Sequence, residues 1–154
     1  MPEVTRFPGD DACCGTAMRK ASRRLSQLYD IALGPSGIRS TQFAILTELD
    51  RRSREPPTVR ELADALVMDR SALGHNLRPL ERDKLIAFEE SEEDRRRRHV
   101  VLTRRGRTKL AEAKQLWQTA QNRFIGVFGD AEAVNLRRTL LGIAYDQRLA
   151  ALTD

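Results

Sequence analysis

The chain has 154 residues, 40% hydrophobic and 32% charged, with 27 basic against 22 acidic side chains and a net charge of +5. That balance excludes a disordered polymer and leaves a single globular domain, for which nucleic acid is a permitted partner. No run approaches the roughly eighteen apolar residues of a membrane span, and Met1–Arg6 has no apolar core of a secretory signal. The cysteines, Cys13 and Cys14, are adjacent and the histidines number two. They form neither a disulfide framework nor a zinc spacing, so we expect a reducing, cytoplasmic setting with no metal and no other cofactor.

Residues 1–10, with two prolines and a glycine, are expected to form a flexible N-terminus, with Asp10 or Asp11 capping the first helix. In that helix apolar or small residues recur at Cys14, Met18, Ala21, Leu25, Leu28 and Ala32, a period that gives a narrow packing seam, and Gly34-Pro35 ends it. Ser40 is placed to cap a second helix carrying Phe43, Leu46 and Leu49. Thr58-Val59-Arg60-Glu61 is a capping box opening a short helix with Val59, Leu62, Ala63 and Leu66 inward. Met68-Asp69 supplies a turn and a new cap for a helix with Leu73, Leu77 and Leu80 inward. Two short amphipathic helices joined by a tight turn predict a helix-turn-helix.

Leu85–Phe88 and His99–Leu102 are short, apolar and suited to strands. Between them charge is packed densely: residues 89–94 hold five acids, and residues 95–107 hold seven arginines and no acid. This predicts a β-hairpin with a charged tip, a wing. Thr103 is placed to cap a long helix with Leu110, Ala113, Trp117, Ala120, Phe124 and Val127 on one face. After a break at Gly129-Asp130, one last helix carries Leu136, Leu140, Ile143 and Ala150.

The expected fold is therefore mainly α with a small β-hairpin. One domain spans residues 11–154: a winged helix-turn-helix over about 40–103, flanked by dimerisation helices over about 11–33 and 104–151. The outer seams are wider than one small core can cover, which points to a second copy of the chain.

In this order the motifs resemble the MarR (multiple-antibiotic-resistance) family of transcriptional regulators, over about residues 12–150. The carriers are Gly37–Phe43, Thr58–Ala63, Met68–Leu73 with Leu80-Glu81-Arg82, and Asp94-Arg95-Arg96 followed by Leu102–Gly106. The resemblance implies a homodimeric DNA-binding regulator, in our reading a repressor, on a pseudo-palindromic site, released by a small ligand or an oxidant. Three departures stand out. Lys84 replaces a glycine that closes the recognition helix, Pro79 lies inside that helix, and Glu92 and Glu93 replace residues friendlier to phosphate.

A recognition helix lays its N-terminal half in the major groove. Outward positions there are Arg70, Ser71, Gly74, His75 and Arg78, the serine and histidine suited to base edges and the arginines to phosphate or guanine. At the wing, the resemblance assigns Arg95 and Arg96 to DNA. Strand alternation turns the other two arginines elsewhere, so Arg97 and Arg98 are expected to pair internally with Glu89, Glu90 or Glu92, or to meet phosphate. Cys13 and Cys14 are candidate redox sensors: unpaired amides at a helix N-terminus favour thiolate, Arg19 lies a turn away, and the peroxide-sensing branch of the family carries its reactive cysteine nearby. The family's ligand cleft implies Arg19, Tyr29, Arg39 and Phe43 as lining, for a small aromatic or carboxylate effector that an arginine would pair with.

An enzyme is disfavoured, since the sequence shows no nucleophile–base–orienter set and no glycine-rich phosphate loop. The competing reading is a winged helix used for protein interaction without specific DNA binding, favoured by the wing acids and opposed by Arg70, Arg78, Arg95 and Arg96.

Overall fold

The computed structural model describes residues 13–91, 94 and 97–152. The expected caps Asp10 and Asp11, the N-terminal residues 1–10 for which flexibility was expected, and Glu92, Glu93, Arg95 and Arg96 lie outside the described residues. The elements run α1 (Cys14–Leu33), a 3-10 turn (Gly34–Ser36), α2 (Ser40–Arg51), α3 (Val59–Leu66), α4 (Arg70–Arg82), β1 (Ile86–Glu90), β2 (Arg98–Leu102), α5 (Arg104–Phe128), α6 (Asp130–Ala144) and α7 (Gln147–Ala150). The mainly helical fold with one hairpin is the expected one.

The core lies under the helix-turn-helix. Ile45, Leu46 and Leu49 of α2, Leu62 and Ala63 of α3, and Leu73, Leu77 and Leu80 of α4 meet Ile86, Val100 and Leu102 of the hairpin and Leu110 and Ala113 of α5. These are the apolar positions of the helical periods, buried because only one face of each short helix can leave water. The Thr58 box forms as its spacing predicts: Thr58 N–H donates to Glu61 Oε2 at 2.7 Å, and Glu61 N–H donates to Thr58 Oγ1 at 3.2 Å. The Thr58 amide, then its hydroxyl, hold the Glu61 carboxyl below its ordinary value. The stability this adds is therefore present above the ordinary glutamate range and lost as pH falls through the lowered value. Asp69 Oδ1 caps α4 by accepting from Ala72 N–H at 2.7 Å, and Thr103 Oγ1 caps α5 by accepting from Gly106 N–H at 2.9 Å.

Several boundaries differ from expectation. Ser40 is the first residue of α2, not its cap: its N–H donates to Asp30 Oδ1 at 2.7 Å, so a carboxylate from α1 does the capping. Gly37, at φ 77°, makes the left-handed turn after α1, while Gly34 is right-handed. The strands extend toward the tip, β1 to Glu90 and β2 from Arg98, in register Ile86↔Leu102 to Glu90↔Arg98. The single last helix is broken at Tyr145, and Asp146 caps the short α7 through Arg148 N–H at 2.9 Å. Ala150 thus sits on a different helix from Ile143.

The loop before α3 joins the wing, which sequence patterning does not show. Val100 N–H donates to the Pro57 carbonyl at 2.8 Å, His99 pairs with Thr58 as an isolated bridge, and His99 Nδ1 lies 2.8 Å from the Pro56 carbonyl. His99 is thus a structural wing residue, tying the hairpin to α3.

Among the described residues, two that bear side chains are left-handed: Lys84 (φ 58°), where the family's glycine would stand, and Val67 (φ 52°), in the turn of the helix-turn-helix. A β-branched residue is the less suited to this region. Val67 is largely exposed, so its removal sacrifices little packing. Val67→Gly is expected to raise stability by about 1 kcal/mol, strain relief exceeding the extra backbone entropy of glycine. A urea midpoint at or below wild type would show the turn to be unstrained.

Candidate nucleic-acid interface

The α4 helix turns Leu73, Leu77 and Leu80 inward, which fixes the opposite face. Arg70, Ser71, His75 and Arg78 are exposed there and Gly74 lies between them, so the five expected positions form one continuous strip. A Cβ placed on Gly74 would meet nothing within 4 Å, so another molecule's backbone can approach closely at that point. The helix continues through Pro79 to Arg82, and Asn76 Nδ2 donates to the Ala72 carbonyl at 2.9 Å.

Beside this strip, the start of α3, the start of α4 and the wing at the start of β2 enclose a depression of about 480 Å³. It is lined by Arg60, Arg70, Arg97 and Arg98 together with Thr58, Val59 and Glu61. Glu61, the one carboxylate among these lining residues, is engaged by Thr58. Four guanidinium groups thus share one concave, accessible surface next to the recognition strip. Among the described residues, Arg60, Arg70 and Arg78 have no acidic partner. Such a surface suits phosphate oxygens, which arginine meets with a rigid fork of donors.

Arg97 makes an internal pair at the wing, with a different acid from those expected. Arg97 Nε lies 3.9 Å from Asp94, and Arg97 N–H donates to the Asp94 carbonyl at 2.8 Å, so it follows the tip turn instead of crossing to Glu89 or Glu90. The Arg98 guanidinium lies over the Phe88 ring, 4.7 Å from its centroid, and Arg98 pairs with Glu90 across the ladder. Arg60 is the residue that sequence reasoning missed. It is adjacent to the Thr58 cap, and the sequence carried a signal for it: a basic residue in the first turn of a helix, where a cation opposes the dipole and calls for an outside anion.

The remaining candidates are scattered. Cys14 begins α1 and Cys13 is its N-cap, both exposed. A Cβ on Gly15 would sit 3.7 Å from the Arg19 guanidinium and 3.7 Å from Cys13 Sγ, so Arg19 reaches back over Gly15 toward the start of α1. Tyr29 and Phe43 line a common cleft between the terminal helices and the winged helix, with Trp117 and Tyr145. Arg39 lines a separate depression with Asp30, Gly34 and Gly37. The four expected cleft residues are therefore not brought together: both aromatics converge, and neither arginine joins them.

The family model described as MarR family matches residues 36–97, the helix-turn-helix and most of the wing. Among solved structures, the chain is 33% identical to the M. tuberculosis transcriptional regulator MosR, with 87% of this chain and 96% of that one covered and a TM-score of 0.73. It is 32% identical to the same regulator in complex with DNA, covering 91% and 98%, with a TM-score of 0.79. It is 26% identical to the repressor CouR, known from Rhodococcus jostii RHA1, bound to a 23-mer duplex, covering 90% and 99%, with a TM-score of 0.78. No curated protein matches the chain. With a shared fold over nearly the whole length, identity of one third and the arginine-lined helix-turn-helix in place, the chain belongs to the MarR family of winged-helix DNA-binding transcriptional regulators.

Proposed function

We propose that the protein is a homodimeric repressor that binds a pseudo-palindromic duplex in the cytoplasm and leaves it on a small-molecule or oxidant signal. The observation that carries this reading is the junction of the α4 strip with the four-arginine depression, an exposed basic surface of the right chemistry for a groove and its flanking phosphates. Base edges meet Ser71, Gly74 and His75; Arg70 and Arg78 meet guanine or phosphate; Arg95 and Arg96 at the wing tip enter a narrow minor groove. A gel shift with the protein's own upstream DNA at two salt concentrations tests it. A shift that weakens steeply with salt is expected. No shift at low salt would leave the winged helix as a protein-interaction module.

The dimer is proposed from the surface that the single chain leaves uncovered. In α1 only Leu33 is buried, and in α6 only Ala133. Ile31 is 80% exposed, Val127 92% and Leu152 80%, and Met18, Ala21, Leu25, Leu136, Leu140 and Ile143 line an open apolar groove of about 440 Å³ between the two helices. So large an apolar surface at the termini of a soluble domain calls for a partner, and a second copy offers the same seam. Two-fold symmetry then places half-sites about one helical turn, ~10 bp, apart. Sedimentation at micromolar concentration is expected to show a dimer; a monomer would refute it.

The oxidant arm rests on Cys13 and Cys14 at the exposed start of α1, toward which Arg19 reaches back over Gly15. Peroxide would carry one thiol to sulfenic acid at a helix that the dimer packs, altering the spacing of the two recognition helices. Operator binding insensitive to peroxide, or equally sensitive in a Cys13→Ser, Cys14→Ser variant, would make the pair packing residues.

A further inference from the structure

Tyr145 stands where α6 stops. Its N–H closes that helix on the Leu141 carbonyl at 3.1 Å, and the next residue, Asp146, caps α7. The backbone of Tyr145 is therefore fixed from both sides. Its hydroxyl leaves these helices altogether and donates to the Ala65 carbonyl at 2.7 Å, 80 residues back in the chain. Tyr145 is 54% exposed, so removing the hydroxyl strands no buried group on the tyrosine side and opens no cavity.

Ala65 lies in the last turn of α3, whose final carbonyls have no partner within the helix. Its neighbours are served locally: Met68 N–H donates to the Ala63 carbonyl at 2.9 Å and Val67 N–H to the Asp64 carbonyl at 3.2 Å. The phenol thus holds the end of α3 that leads through Val67 and Met68 into Asp69, the cap of α4. The two helices are otherwise mounted elsewhere. α3 packs on α2, α4 and β2, and α4 packs on α2, α3 and β1; among the described residues neither makes extended contact with α6. That mounting leaves a tilt about α2 as the soft motion of the helix-turn-helix. The Tyr145 bond acts across it, and a hydrogen bond this short and directional weakens steeply on small displacements.

We propose that Tyr145 is a positioning residue for DNA recognition: its bond to Ala65 fixes the tilt of the helix-turn-helix against α6, and so the separation of the two recognition helices in the dimer. This rests on the proposed homodimer on a two-part site and names a residue that sets its spacing. Tyr145 acts through α3 and α4, and no base or phosphate contact is asked of it. One base pair added between half-sites moves them about 3.4 Å apart along the axis and turns them by roughly 35°. A tied dimer cannot follow both half-sites through that change. A dimer with α3 untied follows them more easily. The bond therefore governs selectivity for spacing and leaves affinity for one half-site unaltered.

Tyr145→Phe keeps the ring and loses the bond, and is expected to melt within a few degrees of wild type; a far lower melting point would make Tyr145 a residue of the fold and overturn the proposal. The probes are the protein's own upstream duplex, its half-sites located by footprinting, and derivatives with one base pair inserted or removed between them. Wild type is expected to bind the native spacing at least ~30-fold more tightly than either derivative. In Tyr145→Phe that ratio should fall to about fivefold or less, while affinity for a duplex with a single half-site stays within about twofold and the salt slope is unchanged. A residue that only stabilised the chain would weaken every duplex alike. An unchanged ratio, or a wild type indifferent to spacing, would therefore overturn the proposal. Amide hydrogen exchange over residues 66–69 tests the tie without DNA. It is expected to quicken about fivefold in the variant, and unchanged exchange would also overturn the proposal. A wild type that shifts no duplex, with exchange quickened in the variant, would instead overturn the DNA-binding reading and leave the tie of α3 to α6 standing.

Discussion

Gly106→Ala is expected to destabilise the protein by about 3 kcal/mol or more, the largest effect of a glycine-to-alanine change among the described residues. A Cβ at this position would lie 2.0 Å from the Leu85 carbonyl oxygen and 2.7 Å from Leu102 Cδ1. The carbonyl cannot retreat, because it accepts from Thr103 N–H at 3.1 Å and Thr103 Oγ1 at 3.0 Å, while the Leu85 amide is held by the Leu80 carbonyl at 2.9 Å. Relief would have to come from lifting the first turn of α5 off the root of the wing, and so displacing the wing itself. Urea denaturation checks this through the midpoint at unchanged slope. Gly126→Ala is the control: in the same helix and facing open space, it is expected to gain about 1 kcal/mol from helix propensity. If both variants had wild-type midpoints, the close approach of α5 to the wing root would be wrong.

The second large effect is on DNA. Replacing Arg60 and Arg70 together by alanine is expected to weaken binding about a hundredfold or more. It should also flatten the salt dependence by roughly one unit for each phosphate no longer neutralised, or about four units per dimer. Both side chains line the depression beside the recognition strip and have no acidic partner among the described residues, so their removal leaves no carboxylate stranded and should not unfold the domain. The weakening should be similar across sequences, since phosphate contacts carry no base information. His75→Ala should behave differently, reducing discrimination between operator and unrelated duplex with little change in salt slope. An unchanged slope in the Arg60, Arg70 variant would mean that the depression does not face the DNA backbone.

Capping boxes, the leucine seams of α2 to α4 and the alternation of the hairpin are local patterns, legible in the sequence because helix and strand periods translate directly into which face is buried. Thr58, Asp69 and Thr103 were legible as caps, and the strip Arg70, Ser71, Gly74, His75, Arg78 followed once Leu73 and Leu77 were known to face inward. Features that depend on distant segments meeting were not legible. Asp30 caps α2 from another helix, Pro56 and Pro57 join the wing, and Arg60 meets Arg97 and Arg98 across nearly forty residues of chain. The cleft shows the division most sharply. Phe43 and Trp117 carry helical periodicity, and nothing in that spacing says that a cavity stays open beside them; Tyr29 and Phe43 were placed at a cleft by the family resemblance alone. Arg19 and Arg39, chosen for charge and neighbourhood in sequence, point to other surfaces because helix rotation, not sequence distance, decides where a side chain ends. The sequence by itself determined the order of elements, their inward faces and the basic recognition helix, since each depends on residues within one or two turns. Only the tertiary structure decided the four-arginine depression, the cleft that brings Tyr29, Phe43 and Trp117 together and the bond from the Tyr145 hydroxyl to the Ala65 carbonyl, since each exists only where the packing of helices far apart in the chain sets a distance.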